Sequence, residues 1–340
     1  MKFEAITKAF TKKDLPHSEV ELVGEVPFDA ILPYHAHALE DIAKELEVPG
    51  FRKGHVPQDM VLKRVGEVAI LEEAVEHFVR DFYPELVETH QLDVVGRPNI
   101  AITKLAPGNP IGLTFKAALY PEVTLPKNWK DIAQKIPLEP AEDATDEEVA
   151  KTLEQLRQSR KTGDVVPELN DEFAKSIGAF ESLDALKEQM KKGIGEEKVR
   201  AARDKRRGNI IDALLEKTKL EVPRIFVEAE LDKIISQMQE DVVRFGVTYE
   251  DYLKQINKTV EQLREEFREQ ASKRAKLQLT LNKIAADEKI EPEAEAVEHE
   301  MQHAISHFPD ARPELVKIHI ETVLRNEKTL QLLEKSEETK

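Results

Sequence analysis

The chain has 340 residues, a length that fits two or three domains. Hydrophobic residues make up 40% of it, charged residues 34% and aromatic residues 6%, and this balance favours long solvated helices over a compact enzyme. The absence of cysteine excludes disulfides and thiolate chemistry, and a net charge of -16 excludes a general nucleic-acid binder. No N-terminal leader and no membrane-spanning run is recognisable, so we expect a cytoplasmic protein with no membrane partner.

The first part of the chain alternates between strand-like and helix-like patterns. Period-two alternation predicts strands over residues 2–10, 19–28, 99–105 and 111–120. Helical spacing of apolar residues predicts helices between the second and third strands, over 29–45, 58–65 and 67–90. Strands, then helices, then strands predict an α+β N-terminal domain with an antiparallel sheet and long helices, which we place at residues 1–122.

A proline-rich stretch follows this domain. Residues 121–144 are rich in proline and predict an extended linker. Thr145 followed three residues later by Glu148 matches a capping box, which predicts a helix running to about residue 160. We therefore expect residues 123–165 to form a linker and a helix that pack on a C-terminal body.

Helical periodicity is present from Ser182 onward, and we place an all-helical domain at residues 166–340. Ser182 is the predicted N-cap of a long helix whose middle is almost entirely charged, a pattern typical of a solvent-bridging helix. The later helices pair into two predicted arms, one from 224–245 with 259–287 and one from two helices beginning near Pro292 and Pro313. The sequence thus predicts an all-α C-terminal domain with helical arms.

One short segment between two predicted helices carries the strongest local signal. It reads Gly50-Phe51-Arg52-Lys53-Gly54-His55-Val56-Pro57, with an aromatic residue and two cations between glycines and a proline. Glycine and proline exclude a helix here, so we expect a loop that exposes Phe51, Arg52 and Lys53. An exposed aromatic side chain beside two cations suits an anionic surface, whereas the simpler interpretation is an ordinary turn. On the next helix, Lys63 and Arg64 fit either an extension of this basic surface or a solvated helix end.

This segment resembles the G-F-R-x-G-x-x-P loop with which bacterial trigger factors, a family of ribosome-associated chaperones, dock on the ribosome. Two further stretches are similar to trigger factor sequences, Gly96-Arg97-Pro98-Asn99-Ile100 and Tyr120-Pro121-Glu122-Val123. The resemblance implies that the ribosome is contacted beside its tunnel exit by Gly50, Phe51, Arg52, Lys53, Gly54 and Pro57. Because the net charge is negative, any contact with ribosomal RNA must be local.

The resemblance also implies a function and its partners. It implies an ATP-independent molecular chaperone that docks at the tunnel exit and shields nascent polypeptides without a cofactor, and it leaves open a homodimer off the ribosome. The sequence has no Walker phosphate-binding loop. In the family, a prolyl isomerase domain of the FK506-binding type follows the helix that ends here near Arg160. Arg160 instead runs almost directly into Pro167, with no strand-rich block of domain size between them, so we expect a form that lacks this domain and is not an enzyme.

A chaperone surface is expected to show apolar side chains on otherwise polar arms. Methionine and aromatic side chains adapt to varied partners. The predicted client contacts are Met238, Phe245, Tyr249, Tyr252, Phe267, Met301 and Phe308. Taken singly, each residue fits packing within its own arm better, so the set as a whole rests on the resemblance.

The main alternative is a zinc-dependent hydrolase. His299-Glu300-Met301-Gln302-His303 matches H-E-x-x-H, whose spacing places both imidazoles on one helix face with Glu300 as a general base. The surrounding helices offer no strand-rich domain that would form a cleft, so we favour solvent-facing side chains here and no metal site. A periplasmic chaperone of similar helical build is a third interpretation, which the missing signal peptide disfavours.

Overall fold

The computed structural model describes residues 2–48, 51, 55–161 and 166–335. Four strands form one antiparallel sheet in the order β1-β2-β4-β3, namely β1 (Thr11–Leu15), β2 (Glu19–Val26), β3 (Val94–Lys104) and β4 (Ile111–Leu119). The described α-helices are α1 (Glu4–Thr7), α2 (Phe28–Ile31), α3 (His35–Glu45), α4 (Gln58–Val65), α5 (Glu67–Thr89), α6 (Asp146–Ser159), α7 (Asp171–Ile177), α8 (Leu183–Lys217), α9 (Arg224–Arg244), α10 (Tyr249–Ile256), α11 (Val260–Asp287), α12 (Ala294–His307) and α13 (Pro313–Glu334). The structure is 64% helical, and the predicted class, an α+β region followed by a helical one, is confirmed. None of these helices combines the length and the apolar character that a membrane span requires.

The chain divides into two compact units. Unit 1 comprises Met1–Glu122 and Leu220–Lys276, and unit 2 comprises Val123–Lys219 and Leu277–Lys340. Each unit therefore contains two separate segments of the sequence, and α11 contributes to both. The functional division at residues 122 and 165 stays a prediction.

The core of unit 1 forms where α5 packs on the sheet. Alternate residues of β2 and β4 point to the same face, and Leu22 lies opposite Phe115 in the antiparallel register. Phe78 and Phe82 of α5 stack with their ring centroids 4.8 Å apart, and the Phe82 centroid lies 6.1 Å from that of Phe115. These four side chains are fully buried, and removing such large apolar surfaces from water is the main contribution that stabilises the unit.

Residues 2–10 do not form the predicted strand. The structure has α1 at Glu4–Thr7, and β1 begins only at Thr11. Phe3, Thr7 and Phe10 are all buried, and their spacing of four and three residues is the helical period. The Phe3 ring packs edge-on against Phe78 of α5, with 5.1 Å between the centroids. Contacts with α5 therefore override the local alternation of polar and apolar residues.

Within unit 1, the beginning of α9 packs against β3 at a point where the pairing of β3 with β4 is irregular. The register of β3 against β4 shifts around Gly96, which has a φ of +72°. A Cβ added to Gly96 would lie 2.2 Å from Cδ1 of Ile225, so glycine leaves room for this side chain. Nearby, the Glu221 carboxylate accepts a hydrogen bond of 2.5 Å from the backbone N–H of His17. The start of α9 is thus anchored on the strand region.

The long helix α8 is the centre of unit 2. Its residues Ile210 and Leu214 belong to a buried cluster with Ile132, Ala133, Leu281, Ile284 and Leu333. The sequence suggested that the charged middle of α8 faces solvent. In the structure, several of its side chains instead form ion pairs with other segments of unit 2. Lys205 pairs with Glu139 at 2.7 Å, and the guanidinium of Arg207 donates hydrogen bonds to the carboxylates of Glu327 and Glu334 on α13. These contacts hold the segment after β4 and the last helix against α8.

Two predicted helix starts in unit 2 are confirmed. The N–H of Glu148 donates to Oγ1 of Thr145 at 3.2 Å, and the N–H of Thr145 donates back to the Glu148 carboxylate at 2.8 Å, which completes the capping box of α6. Oγ of Ser182 accepts a hydrogen bond of 3.2 Å from the N–H of Ala185 and caps α8. Each cap satisfies backbone N–H groups that the helix itself leaves without partners.

Candidate functional site

The loop between α3 and α4 is anchored at both ends by apolar side chains that contact the core of unit 1. The helix α3 ends at Glu45, and Pro57, with a φ of -57°, is the N-cap residue of α4. Leu46 and Val48 pack against the core of unit 1 at one end of the loop, and Val56 is buried in that core at the other end. The loop therefore begins and ends at fixed points of unit 1.

Phe51 and Pro57 are the predicted ribosome contacts that the structure describes. The Phe51 side chain is 42% exposed, and its backbone N–H donates to the carbonyl of Val48 at 3.0 Å. Pro57 is exposed where α4 begins. The other predicted contacts, Gly50, Arg52, Lys53 and Gly54, lie outside the described residues. The exposed part of the Phe51 ring is available to a partner surface.

The helix α4 carries further apolar and basic side chains on its exposed side. Met60 and Leu62 are exposed, and so are Lys63 and Arg64 in the last turn. Val61 is buried and fixes which side of the helix faces the core. Within the described part of the chain, Lys63 and Arg64 have no hydrogen-bond or ion-pair partner. Exposed apolar and basic groups thus lie on α4, the helix that follows the loop with Phe51.

The first arm consists of α9 and the part of α11 that belongs to unit 1. Leu231 and Ile234 of α9 are buried together with Ala271 of α11. Val227 and Phe267 pack against this cluster and are partly buried. Alanine at the contact allows the two helix backbones to approach closely, and the apolar stripe of α9 lies on it. The pairing of these two helices agrees with the predicted hairpin.

Charged side chains cross-link the two helices of the first arm. The Arg264 guanidinium donates to Asp232 and to Glu228, each at 2.6 Å, and Arg268 donates to the other oxygen of Glu228 at 2.7 Å. These two guanidinium groups, Arg268 foremost, hold the pKa of the Glu228 carboxyl below its ordinary value. Because one carboxylate binds two guanidinium groups, the network fixes the alignment of the arm better than isolated surface pairs do.

The far end of the first arm carries most of the predicted client contacts. Phe245, directly after α9, is 84% exposed. Tyr249 and Tyr252 of α10 are half-buried and stack on each other, with 6.4 Å between the ring centroids. Met238 is half-buried, and Phe267 packs between the arm helices. Phe245 is therefore the predicted contact of this arm that presents nearly its whole side chain.

The second arm, α12 with α13, also exposes apolar side chains. Phe308, directly after α12, is 70% exposed, whereas Met301 is half-buried. Sequence analysis missed the exposed Leu315 and Ile318 on α13, and no local signal distinguishes them from the buried apolar residues of the same helix. It also missed Val243, which is exposed next to Phe245 in the sequence. We refer to the following set as the exposed arm residues: Val243, Phe245, Phe308, Leu315 and Ile318.

The H-E-x-x-H motif lies on an exposed side of α12. Oε1 of Glu300 lies 3.2 Å from Nδ1 of the adjacent His299, and the ring of His303 packs against that of His307, with 4.7 Å between centroids. Among the described residues, these histidines belong to no group of three His, Asp or Glu donors close enough to hold one ion. A catalytic zinc site needs three protein ligands and an open position within a cleft. The structure therefore gives the hydrolase alternative no support.

Two sequence profiles of one protein family match the chain. The profile described as "Bacterial trigger factor protein (TF)" covers residues 8–156. The profile described as "Bacterial trigger factor protein (TF) C-terminus" covers residues 182–335. Only residues 157–181 separate the two matches.

Curated trigger factors from several bacteria resemble the chain over most of its length. The trigger factor of Agathobacter rectalis is 24% identical, and the match covers 82% of this chain and 83% of that protein. The Thermus thermophilus protein is 27% identical over 81% of this chain and 84% of its own length. The Halothermothrix orenii protein is 24% identical over 91% of this chain and 92% of its own length, in an alignment of 399 residues. Because 399 exceeds the 340 residues of this chain, that alignment bridges positions that this chain lacks.

A solved structure has the same fold. It is described as "Promiscuous Substrate Recognition in Folding and Assembly Activities of the Trigger Factor Chaperone", and it matches with a TM-score of 0.56 over 96% of this chain and 100% of that chain. At 17% identity this likeness bears on the fold alone. Together with the two profiles of one family, it leads to a single assignment: the chain belongs to the bacterial trigger factor family of chaperones.

Proposed function

We propose that this chain is an ATP-independent chaperone that docks at the ribosome tunnel exit through Phe51, Arg52 and Lys53 and shields nascent polypeptides with its helical arms. The observation that carries the docking proposal is the exposed Phe51 in a loop whose two ends pack against the core of unit 1. Membership of the trigger factor family supports it, because the loop matches the family motif at each defined position. Such a protein acts in the cytoplasm, where ribosomes are found.

The loop has the chemistry to bind a surface made of protein and RNA. The Phe51 ring can cover apolar protein surface, while Arg52 and Lys53 can pair with phosphates. Lys63 and Arg64 supply two more cations on the adjoining helix. Since the whole chain carries a net charge of -16, its contact with RNA is confined to this local group of cations.

The exposed arm residues suit weak and exchangeable contacts with unfolded chains. Phe245 and Phe308 are the most exposed of them, and they lie on different arms. Separate apolar side chains among polar neighbours bind many sequences weakly, whereas a continuous groove would select one segment. With no phosphate-binding loop in the sequence, release follows from fast dissociation and not from a nucleotide cycle.

The functional regions that we propose follow from these surfaces. Residues 1–122 contain the docking loop, residues 123–165 form a linker and a helix, and residues 166–340 hold clients. The interval 157–181 between the two family matches is much shorter than a typical domain. We therefore also propose that the chain has no prolyl isomerase activity.

Co-sedimentation with vacant ribosomes tests the docking proposal without interference from client binding. The variant Phe51→Ala with Arg52→Ala and Lys53→Ala should no longer pellet with ribosomes. Binding of the unaltered chain should weaken steeply as salt is raised, because phosphates are among the contacted groups.

A matched control variant distinguishes a specific effect of the loop from the effect of losing any apolar and basic side chains. Phe245→Ala with Arg244→Ala and Lys254→Ala removes the same residue types from the exposed end of the first arm, and it should pellet like the unaltered chain. Circular dichroism should be unchanged in both variants. Pelleting of the loop variant at the level of the unaltered chain would overturn the docking proposal.

A further inference from the structure

Helices α3 and α5 of unit 1 bring three metal-binding side chains together, outside the surfaces considered so far. Asp41 lies on α3, and Glu73 and His77 lie one turn apart on α5, so both occupy the same side of that helix. One donor atom from each of the three lies within 4.8 Å of the other two, and all three side chains are half-buried. In the described part of the chain, no other set of three His, Asp or Glu residues meets this spacing.

The distances suit direct binding of one small divalent ion. Nε2 of His77 lies 3.1 Å from Oδ2 of Asp41 and 3.5 Å from Oε1 of Glu73. Two ligands that each bind zinc at about 2.0–2.1 Å with a tetrahedral angle between them lie about 3.3 Å apart. These two separations lie on either side of this value, so an ion at Nε2 of His77 can bridge this ring to each of the two carboxylates.

The ring of His77 is not satisfied by its neighbours. Its Nε2 atom is buried and makes no hydrogen bond within the described chain, although Oδ2 of Asp41 is only 3.1 Å away. The oxygen therefore lies off the N–H axis, where a hydrogen bond is weak. In a metal site the ligand oxygens also lie off that axis, because the ion itself occupies it. The position of the Asp41 oxygen is thus compatible with a metal ion bound at Nε2 of His77.

The surrounding charges also favour a cation. Nζ of Lys44 donates a hydrogen bond of 2.6 Å to Oδ1 of Asp41, which orients the carboxylate and leaves Oδ2 turned towards His77. Two carboxylates against one ammonium leave net negative charge at the cluster. Partial exposure of Asp41 and Glu73 leaves a path by which an ion can enter from solvent.

We propose that Asp41, Glu73 and His77 form a binding site for a divalent transition metal, with zinc as the best fit, that braces α3 against α5. One imidazole with two carboxylates is a ligand set that zinc accepts, and water can complete the coordination. The helix α3 ends at Glu45, where the docking loop begins, so a bound ion would fix the helix from which that loop starts. The metal site does not depend on the proposed function.

Calorimetric titration of the full chain with zinc chloride, after treatment with EDTA and desalting, tests the proposal. The exposed histidines of α12 would bind zinc adventitiously, so the titration uses a background variant in which His299, His303 and His307 are changed to alanine. This background variant should bind one zinc ion. Its thermal unfolding midpoint should rise with zinc concentration, since the ion binds the folded state.

Single substitutions in this background then assign the site. Glu73→Gln and, independently, His77→Gln should each lower the zinc affinity at least about tenfold, because each removes a ligand. Glu72→Gln is the matched control: it changes an exposed carboxylate one residue away on the same helix and should leave the affinity unchanged. Circular dichroism without metal should show that the variants are folded.

The possible outcomes distinguish zinc binding at Asp41, Glu73 and His77 from zinc binding elsewhere on the chain. The proposal is overturned if the background variant binds no zinc, which would assign any zinc taken up by the unaltered chain to an adventitious ion on α12 only. It is equally overturned if Glu73→Gln binds zinc as tightly as Glu72→Gln. Loss of affinity in Glu73→Gln alone, with Glu72→Gln unchanged, supports it even if His77→Gln fails to fold.

Discussion

Client binding by the exposed arm residues can be tested with one double substitution. Phe245→Ser with Phe308→Ser removes the most exposed aromatic side chain from each arm. Because both residues are largely solvated, the free energy of unfolding should change by no more than about 0.5 kcal/mol for each substitution. Any loss of chaperone action by this variant therefore reports on the binding surface and not on the fold.

The size of the effect follows from the exposed area. A phenylalanine side chain presents roughly 200 Å², so with 84% and 70% exposure about 170 and 140 Å² are available to a client. At about 25 cal/mol per Å², complete coverage contributes at most about 4 kcal/mol for each ring. Ordering a disordered client offsets most of this, which leaves about 1 kcal/mol per ring. The double variant should therefore bind an unfolded client roughly 30-fold more weakly.

The assay measures affinity for a labelled unfolded client by fluorescence anisotropy, and suppression of aggregation of a denatured client. It uses the full chain, because a fragment of residues 121–340 would lose the contacts that Glu221 and Ile225 make with the strand region. Val23→Ser with Val68→Ser is the control, since it removes exposed apolar side chains from unit 1 outside the arms. Equal affinity of the double variant and the control would refute the reasoning.

The remaining predictions concern catalysis, acid stability and β3. In a protease-coupled proline-peptide assay, the purified chain should give only the slow uncatalysed rate, and robust catalysis would contradict the proposed lack of isomerase activity. Glu228→Gln should lower the unfolding midpoint at neutral pH but not in acid: the folded-state pKa of Glu228 is lowered, so its contribution is present above the unfolded pKa of about 4.3 and is lost as pH falls through the folded value. A midpoint difference that persists in acid would rule this out. Gly96→Ala should destabilise the chain by about 1–3 kcal/mol more than Gly108→Ala, because both glycines have φ of +72° but only Gly96 faces a close side chain. Equal losses would mean that Ile225 moves aside freely.

The sequence predicts a helix boundary correctly when that boundary depends only on groups close together in the chain. The caps at Thr145 and Ser182 depend on groups within three residues, so the pattern alone predicts them correctly. The strand predicted over residues 2–10 fails because Phe3 and Phe10 are fixed by rings on α5, far along the chain. The pattern of polar and apolar residues within a nine-residue segment carries no information about contacts with residues so far along the chain.

The candidate sites likewise differ in whether they depend on neighbouring residues or on residues far apart in the sequence. The docking loop is a contiguous motif, so the sequence is sufficient to propose it. Exposure of Leu315 and Ile318 depends on which side of α13 its neighbours leave uncovered, and no local pattern decides that. The cluster of Asp41, Glu73 and His77 joins two helices, and the sequence shows only the four-residue spacing of its last two members.

The division of unit 1 into Met1–Glu122 and Leu220–Lys276 has a consequence for the biosynthesis of the protein itself. The hydrogen bond between His17 and Glu221 closes over 204 residues, so it forms only after most of the chain has been translated. Until then, the strand region of a growing copy lacks the contact between Gly96 and Ile225, and the surface at Gly96 stays exposed. Contacts of such long sequence separation form slowly, and uncovered apolar surface on a nascent chain is prone to misassembly. During its own synthesis, this chaperone is thus itself the kind of incomplete polypeptide that it is proposed to protect.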